Sequence, residues 1–273
     1  MAHPIIPEVT LLRGAAADDA LRDPQFIEAW QQLRDSTPHA TAFQGPRFAA
    51  TWYASYRDEW EPVLVEARDA AGALLALWPL AWRARTATLA HAGAHQAEYQ
   101  GWLSQPATER AFIAAAWARL TADFAFQVLQ CKYLVTESRA AMLREVLGCV
   151  DSRRHSRPLM RLVAEDIRAS FAKKSNKSRF NRLKRLGELE FRRIRAPAEL
   201  DAMFTRMIEF YDLRQGAVNA VSPFHEDPRK TGFHRALFAA AQDELVVTGT
   251  FLGGELVAAY WGMVSGDASQ LGI

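Results

Sequence analysis

Phe26, Trp30 and Leu33 recur at spacings of four and three, which predicts a helix over residues 25–33, capped by Asp23 ahead of Pro24 and ending near 35–38. Phe48, Trp52 and Tyr56 repeat every four residues and predict a second helix after Pro46. The period then changes. Residues 63–68 read as a strand, 69–72 as a turn, 73–82 as the returning strand of a hairpin and 86–90 as a third strand. Phe112, Ala115, Ala116, Arg119 and Leu120 return at helical spacing and predict a helix over 108–124, with a capping-box-like start at 107–110. Beyond it come a strand over 128–133, a short helix over 138–147 closed by Gly148, and a strand over 157–163.

At Asp166, a predicted helix cap, the chain changes character. Lys173, Lys174, Lys177, Arg179, Arg182, Lys184 and Arg185 follow with no acid before Glu188. On one helix at about 100° per residue, Lys173, Lys177 and Lys184 fall within roughly 40° of one another, with Leu183 and Leu186 towards the other side. A strand over 189–194, a helix over 197–211 and an irregular stretch over 215–231 come next. A second hairpin spans 245–252 and 255–264 about Gly253 and Gly254.

Matching Gly72 to Gly254 lays the second hairpin on the first without a gap. The same register matches Pro46-Arg47 to Pro228-Arg229, Val65 to Val247, Leu74 to Leu256, Leu75 to Val257, Ala76 to Ala258 and Trp78 to Tyr260. The expected fold class is therefore α/β (α+β): tandem units, each a mixed, mostly antiparallel sheet flanked by helices. Residues 1–163 form the first, 164–188 the basic amphipathic helix that opens the second, and 189–273 the second itself. On this layout the chain stops at Leu271-Gly272-Ile273, inside the third strand of the second hairpin unit, so the sequence is expected to be a fragment, inactive alone.

Composition supports two cores: 49% of the 273 residues are hydrophobic and 23% charged. No run of eighteen uncharged apolar residues occurs, and the N-terminus has no basic region ahead of an apolar stretch, so a cytoplasmic location is expected. Cys131 and Cys149, the two cysteines, suit a reducing compartment and are assigned no function. A net charge of +2 excludes a general polycation, so the basic segment is a local feature.

Proton-transfer chemistry needs a base, and a donor where negative charge develops. His91, His95, Glu98 and Tyr99 cluster after a predicted strand, where side chains project into a cleft. His91, His95 and Glu98 are candidate catalytic groups, and Tyr99 is a candidate hydrogen-bonding group for substrate. No Ser-His-Asp order, Cys-His pair or metal-ligand spacing occurs. In the basic segment Lys177 and Arg179 are candidate contacts for an anionic ligand. The segment suits a phosphate on a nucleotide-linked or lipid-linked substrate, an RNA or an anionic membrane face, or else is a solvated helix face.

Several stretches resemble the CelD-type acyltransferases: Phe43-Gln44-Gly45-Pro46, Leu77-Trp78-Pro79-Leu80, Glu98-Tyr99-Gln100-Gly101, the basic run from Lys177 to Arg185, Arg214 near an expected helix end, and Gly253-Gly254-Glu255-Leu256-Val257-Ala258. That family belongs to the GNAT superfamily and is similar to the Fem group of tandem-GNAT aminoacyltransferases. The resemblance implies N- or O-acyl transfer, with acyl-CoA as donor, to a sugar, peptide or lipid-linked precursor of the envelope or exopolysaccharide. It adds Arg214 to the substrate contacts and implies neither a metal nor a stable protein partner. Two alternatives stay open: a Fem-type enzyme using aminoacyl-tRNA on a peptidoglycan precursor, and a non-catalytic module binding a glycan or phosphate. In this superfamily a Gln/Arg-x-x-Gly-x-Gly/Ala turn holds the CoA pyrophosphate. Residues 92–101 lack that spacing, which casts the first unit as substrate-binding or structural, with no cofactor-binding residue in the fragment.

Overall fold

The computed structural model describes residues 8–271 apart from 135, 149, 157–159, 161 and 267. Cys149 and much of the strand expected over 157–163 lie outside the described residues; Met160, Leu162 and Val163 are not in a strand.

Left-handed backbone at Gly72 (φ 88°), Gly253 (φ 58°) and Gly254 (φ 87°) closes two hairpins, conformations that a side chain would strain. In the first, β2 (Glu61–Arg68) pairs antiparallel with β3 (Leu74–Arg83), with Val65 opposite Trp78. Asp69 organises the turn, its Oδ1 accepting from the Ala71 amide at 2.9 Å and the Ala73 amide at 2.8 Å. Before the hairpin come β1 (Val9–Arg13), α1 (Ala15–Arg22), α2 (Pro24–Ser36) and α3 (Pro46–Ser55). After it come β4 (Thr88–His91), β5 (Leu103–Ser104), α4 (Pro106–Asp123), β6 (Val128–Gln130) and α5 (Glu137–Leu147). The sheet order is β1-β2-β3-β4-β6, with β5 beside β3.

Both faces of this sheet are covered, which explains why β2 and β3 read as continuous apolar runs. Val63, Val65, Trp78 and Leu80 pack in one cluster with Trp102 and with Phe112, Ile113, Ala116 and Leu120 of α4. Phe26, Trp30 and Leu33 of α2 and Phe48, Trp52 and Tyr53 of α3 are also buried, as their spacing predicts. Each such side chain contributes on the order of 1.5–3 kcal/mol. Asp23 caps α2 as expected, accepting from the Gln25 amide at 2.9 Å.

The later elements are α6 (Ala164–Ala172), α7 (Lys174–Lys184), β7 (Leu189–Arg193), α8 (Pro197–Asn219), α9 (Pro223–Glu226), α10 (Arg229–Ala240), β8 (Leu245–Leu252), β9 (Glu255–Ser265) and β10 (Ala268–Leu271). The second sheet runs β10-β9-β8-β7. Burial along β8 alternates strictly, with Leu245, Val247, Gly249 and Phe251 inward. In both sheets a strand, helices, a hairpin and a further strand follow one another in the chain, and the strands lie side by side in that same order.

The chain divides into two compact units. One takes in the described residues up to Ser152, with Thr231–Glu244 and the described part of Met263–Gly272; the other takes in those of Arg153–Lys230 and Leu245–Gly262.

Six local expectations are corrected. The basic segment is two helices, because Lys173 is extended (ψ 135°) between α6 and α7, and Asp166 lies in the first turn rather than at the cap. Helix α8 continues past Tyr211 to Asn219, so Arg214 sits inside it, and α9 and α10 occupy much of the stretch expected to be irregular. Helix α4 starts at Pro106 without a side-chain cap, and β6 ends at Gln130. β1, α1 and β5 were not foreseen. Among the described residues, no helix is long and apolar enough to cross a membrane.

Candidate functional site

The first sheet contains a parallel pair, β4 with β6, in register from Thr88 opposite Val128 to Ala90 opposite Gln130. Ligands of open α/β sheets bind beyond the carboxyl ends of such strands. Here β4 runs into a loop over residues 92–99 before Gln100 rejoins the chain that leaves β6.

That loop is built on three glutamines. Gln100 is buried; its amide donates to the Lys132 carbonyl at 2.9 Å, its Oε1 accepts the Lys132 amide at 2.8 Å, and its Nε2 donates to the carbonyls of Ala94 at 2.6 Å and Ala97 at 3.1 Å. Gln96 accepts from Trp52 Nε1 at 3.2 Å and donates to the Tyr56 hydroxyl at 2.9 Å, fastening the loop to α3. Gln44 donates to the Tyr99 carbonyl. Gly93 (φ 99°), Ala94 (φ 39°) and Tyr99 (φ 53°) all take left-handed backbone, and a Cβ at Gly93 would stand 2.5 Å from that of Ala97 and 2.6 Å from Phe48 Cε1.

The four candidate residues fare differently on this frame. His91 ends β4 fully buried, with Nδ1 2.6 Å from the Ala92 carbonyl and no partner in hydrogen-bond geometry at Nε2 among the described residues. Burial pushes it down to about 4, so the ring is neutral at physiological pH, and an acceptor in solvent does not reach it. His95 is exposed, and its Nδ1 lies 2.9 Å from Lys132 Nζ. With the ammonium donating, Nδ1 is the acceptor and the neutral ring carries its proton on Nε2. Burial holds Lys132 below the usual lysine range and Glu98 above the usual carboxylate range. Tyr99 is half-buried. Burial thus moves Lys132 and Glu98 each towards the uncharged form.

Sequence reasoning missed Lys132. Its partner His95 is distant in the chain, and no local spacing links them.

The loop does not fit the pyrophosphate of CoA. The amides of Ala92, Ala94, Gln96, Ala97 and Gln100 donate to Pro79, His91, Gly93, Gly93 and Lys132, so they are not turned towards an anion. Helix α4 opens with Pro106, which removes one N–H from its N-terminus.

In the second unit Lys177 and Arg179 lie exposed on α7, and Arg214 on α8 rests over the Tyr211 ring at 5.2 Å. Tyr211 also receives Lys230 at 4.8 Å, and Lys230 stands 4.7 Å over Phe224. Asp212 caps α9 by accepting from the amides of Phe224 and His225, both at 3.0 Å. Burial pushes Lys230 down to about 8 against the opposing pull of Asp212 and Asp227. Lys230 was also missed, because its segment read as irregular.

The second sheet, with its strand, helices, antiparallel hairpin and further strand, defines an α/β unit. Residues 170–270, from the end of α6 into β10, match the family described as Acetyltransferase (GNAT) domain. No curated protein matches the chain.

Proposed function

We propose that the protein is an acyltransferase of the GNAT superfamily, of CelD type, moving an acyl group from acyl-CoA to a cell-envelope or exopolysaccharide precursor. The observation that carries this reading is the GNAT match over residues 170–270. The like strand order of the two sheets supports a tandem arrangement. On this reading the first unit serves the acceptor. Tyr99 hydrogen-bonds it, and His95, in the tautomer whose Nδ1–H donates to a neutral Lys132, takes at Nε2 the proton released as the acceptor's amine or hydroxyl attacks the thioester. Lys177, Arg179 and Arg214 are the second unit's contacts for an anionic ligand.

The test is a thermal-shift and thiol-release screen of the chain with acyl-CoAs of increasing length, against nucleotide sugars and polyprenyl-linked sugars as acceptors. A ligand bound at about 100 times its Kd stabilises the native state by about 2.7 kcal/mol, enough to read as a raised Tm. Acyl-CoA is expected to raise Tm and, with an acceptor, to release CoA thiol. Turnover with aminoacyl-tRNA alone would move the assignment to the Fem type. Binding of a glycan or phosphate without turnover of any donor would make the protein a binding module.

A further inference from the structure

The second unit exposes apolar side chains in the midst of its cations. Phe171 of α6 is 56% exposed, Phe191 of β7 is 64% exposed, and Leu186, just after α7, is 69% exposed. Phe180 of α7 joins the two phenylalanines into one row, its ring centroid 5.9 Å from that of Phe171 and 6.0 Å from that of Phe191. Ile167 lies one helical turn before Phe171, and Leu183 one turn after Phe180; both are exposed.

Arg168 lies one turn from Phe171, and Lys177 and Lys184 one turn to either side of Phe180; these and Lys173, Lys174, Arg179, Arg182 and Arg185 are all exposed, in a stretch with no acid between Asp166 and Glu188. Among the described residues none of these eight is in an ion pair. Lys184 lies over the Phe180 ring at 5.9 Å. Elsewhere the surface of the same chain pairs its charges, as at Arg13–Glu61 and Arg110–Glu145.

We infer that this face docks on an anionic phospholipid surface, with Phe171, Phe191 and Leu186 entering the boundary between headgroups and acyl chains while Arg168 and Lys184 beside them meet the lipid phosphates. Charge complementarity supplies the partner's sign, and the apolar residues supply its kind. Phenylalanines alone would serve nucleic-acid bases, which stack on rings. Ile167, Leu183 and Leu186 have no such use on a base, but they insert between lipid chains as readily as phenylalanine does. An apolar row rimmed by unpaired cations is the pattern of an interfacial segment, and it involves no residue of the 92–101 loop.

The experiment is co-sedimentation of the 273-residue chain with vesicles of phosphatidylcholine alone and of phosphatidylcholine with phosphatidylglycerol at 30 mol%, at low and high salt. Binding to the anionic vesicles is expected to be at least tenfold tighter and to weaken with salt. Phe171→Ser with Phe191→Ser should lose most of the binding that survives high salt, and Arg168→Glu with Lys184→Glu most of the binding at low salt. Far-ultraviolet circular dichroism checks that each variant folds, and single substitutions replace any pair that does not. Equal binding to neutral and anionic vesicles overturns the proposal. So does tighter binding to a single-stranded RNA that displaces the vesicles, or vesicle binding that neither pair of substitutions changes.

Discussion

Gln100 and Lys132 are joined twice, through the Gln100 amide on the Lys132 carbonyl and the Lys132 amide on the Gln100 side chain. The second bond belongs to a side chain that also carries the carbonyls of Ala94 and Ala97, so removing it leaves buried backbone groups without partners. Gln100→Ala is expected to cost about 2–3 kcal/mol in urea unfolding, mostly as desolvation of those groups. A loss within about 0.5 kcal/mol would show that Gln100 does not hold the loop.

Gly93→Ala should be at least as damaging. The added methyl would meet Ala97 Cβ at 2.5 Å and Phe48 Cε1 at 2.6 Å, on a backbone already at φ 99°. A loss of about 2–3 kcal/mol is expected, with heavier loss of any acceptor binding at the loop. Wild-type stability in this variant would mean that the loop is not packed on α3 as described.

His91 makes stability depend on pH. Its folded value of about 4 lies below the ordinary 6.5, so between these values the unfolded chain binds more protons. Stability is therefore whole above pH 6.5 and falls as pH drops towards 4, by on the order of 3 kcal/mol. Urea midpoints measured across that window, for the wild type and for His91→Gln, isolate the contribution. A variant whose stability falls as steeply as the wild type's assigns the slope to other groups.

Replacing both Lys177 and Arg179 by Ala removes two exposed cations of α7 without touching its packing. Affinity for an acyl-CoA or other phosphate-bearing ligand is expected to fall tenfold or more while Tm of the free protein holds, as read by titration calorimetry. Unchanged affinity would remove both residues from the ligand's reach.

Lys230 should react early with acylating reagents. With its value pushed down to about 8, labelling mapped by mass spectrometry is expected to rise near pH 8, below the ordinary lysine range. A rise only in the ordinary lysine range would contradict the burial assigned to it.

The hairpins were legible because glycine turns and apolar runs are local signals, and both strands of each formed where the pattern put them. Helices α2 and α3 were legible for the same reason, through Phe26, Trp30 and Leu33 and through Phe48 and Trp52. The break at Lys173 was not, since neither proline nor glycine marks it and the cations on both sides suit one continuous helix. The continuation of α8 past Tyr211 was obscured by Gly216, a residue that ordinarily weakens a helix and here lies inside one. At the loop, the histidines and Tyr99 were visible as residue types, but what distinguishes His91 from His95 is depth, and depth comes from elements far apart in the chain. Lys132 had no signal at all, because its environment is assembled by Gln100 and His95 across the sheet end.

The two sheets differ in how much change they can absorb. Along β2 the six positions from Pro62 to Ala67 are all enclosed, so a bulky probe attached at any of them would disturb packing on one side or the other. On β8, Thr248 and Thr250 point to the less enclosed side between inward neighbours. These two threonines are the natural places to attach a fluorophore or spin label that would report on the second sheet while leaving its interior undisturbed.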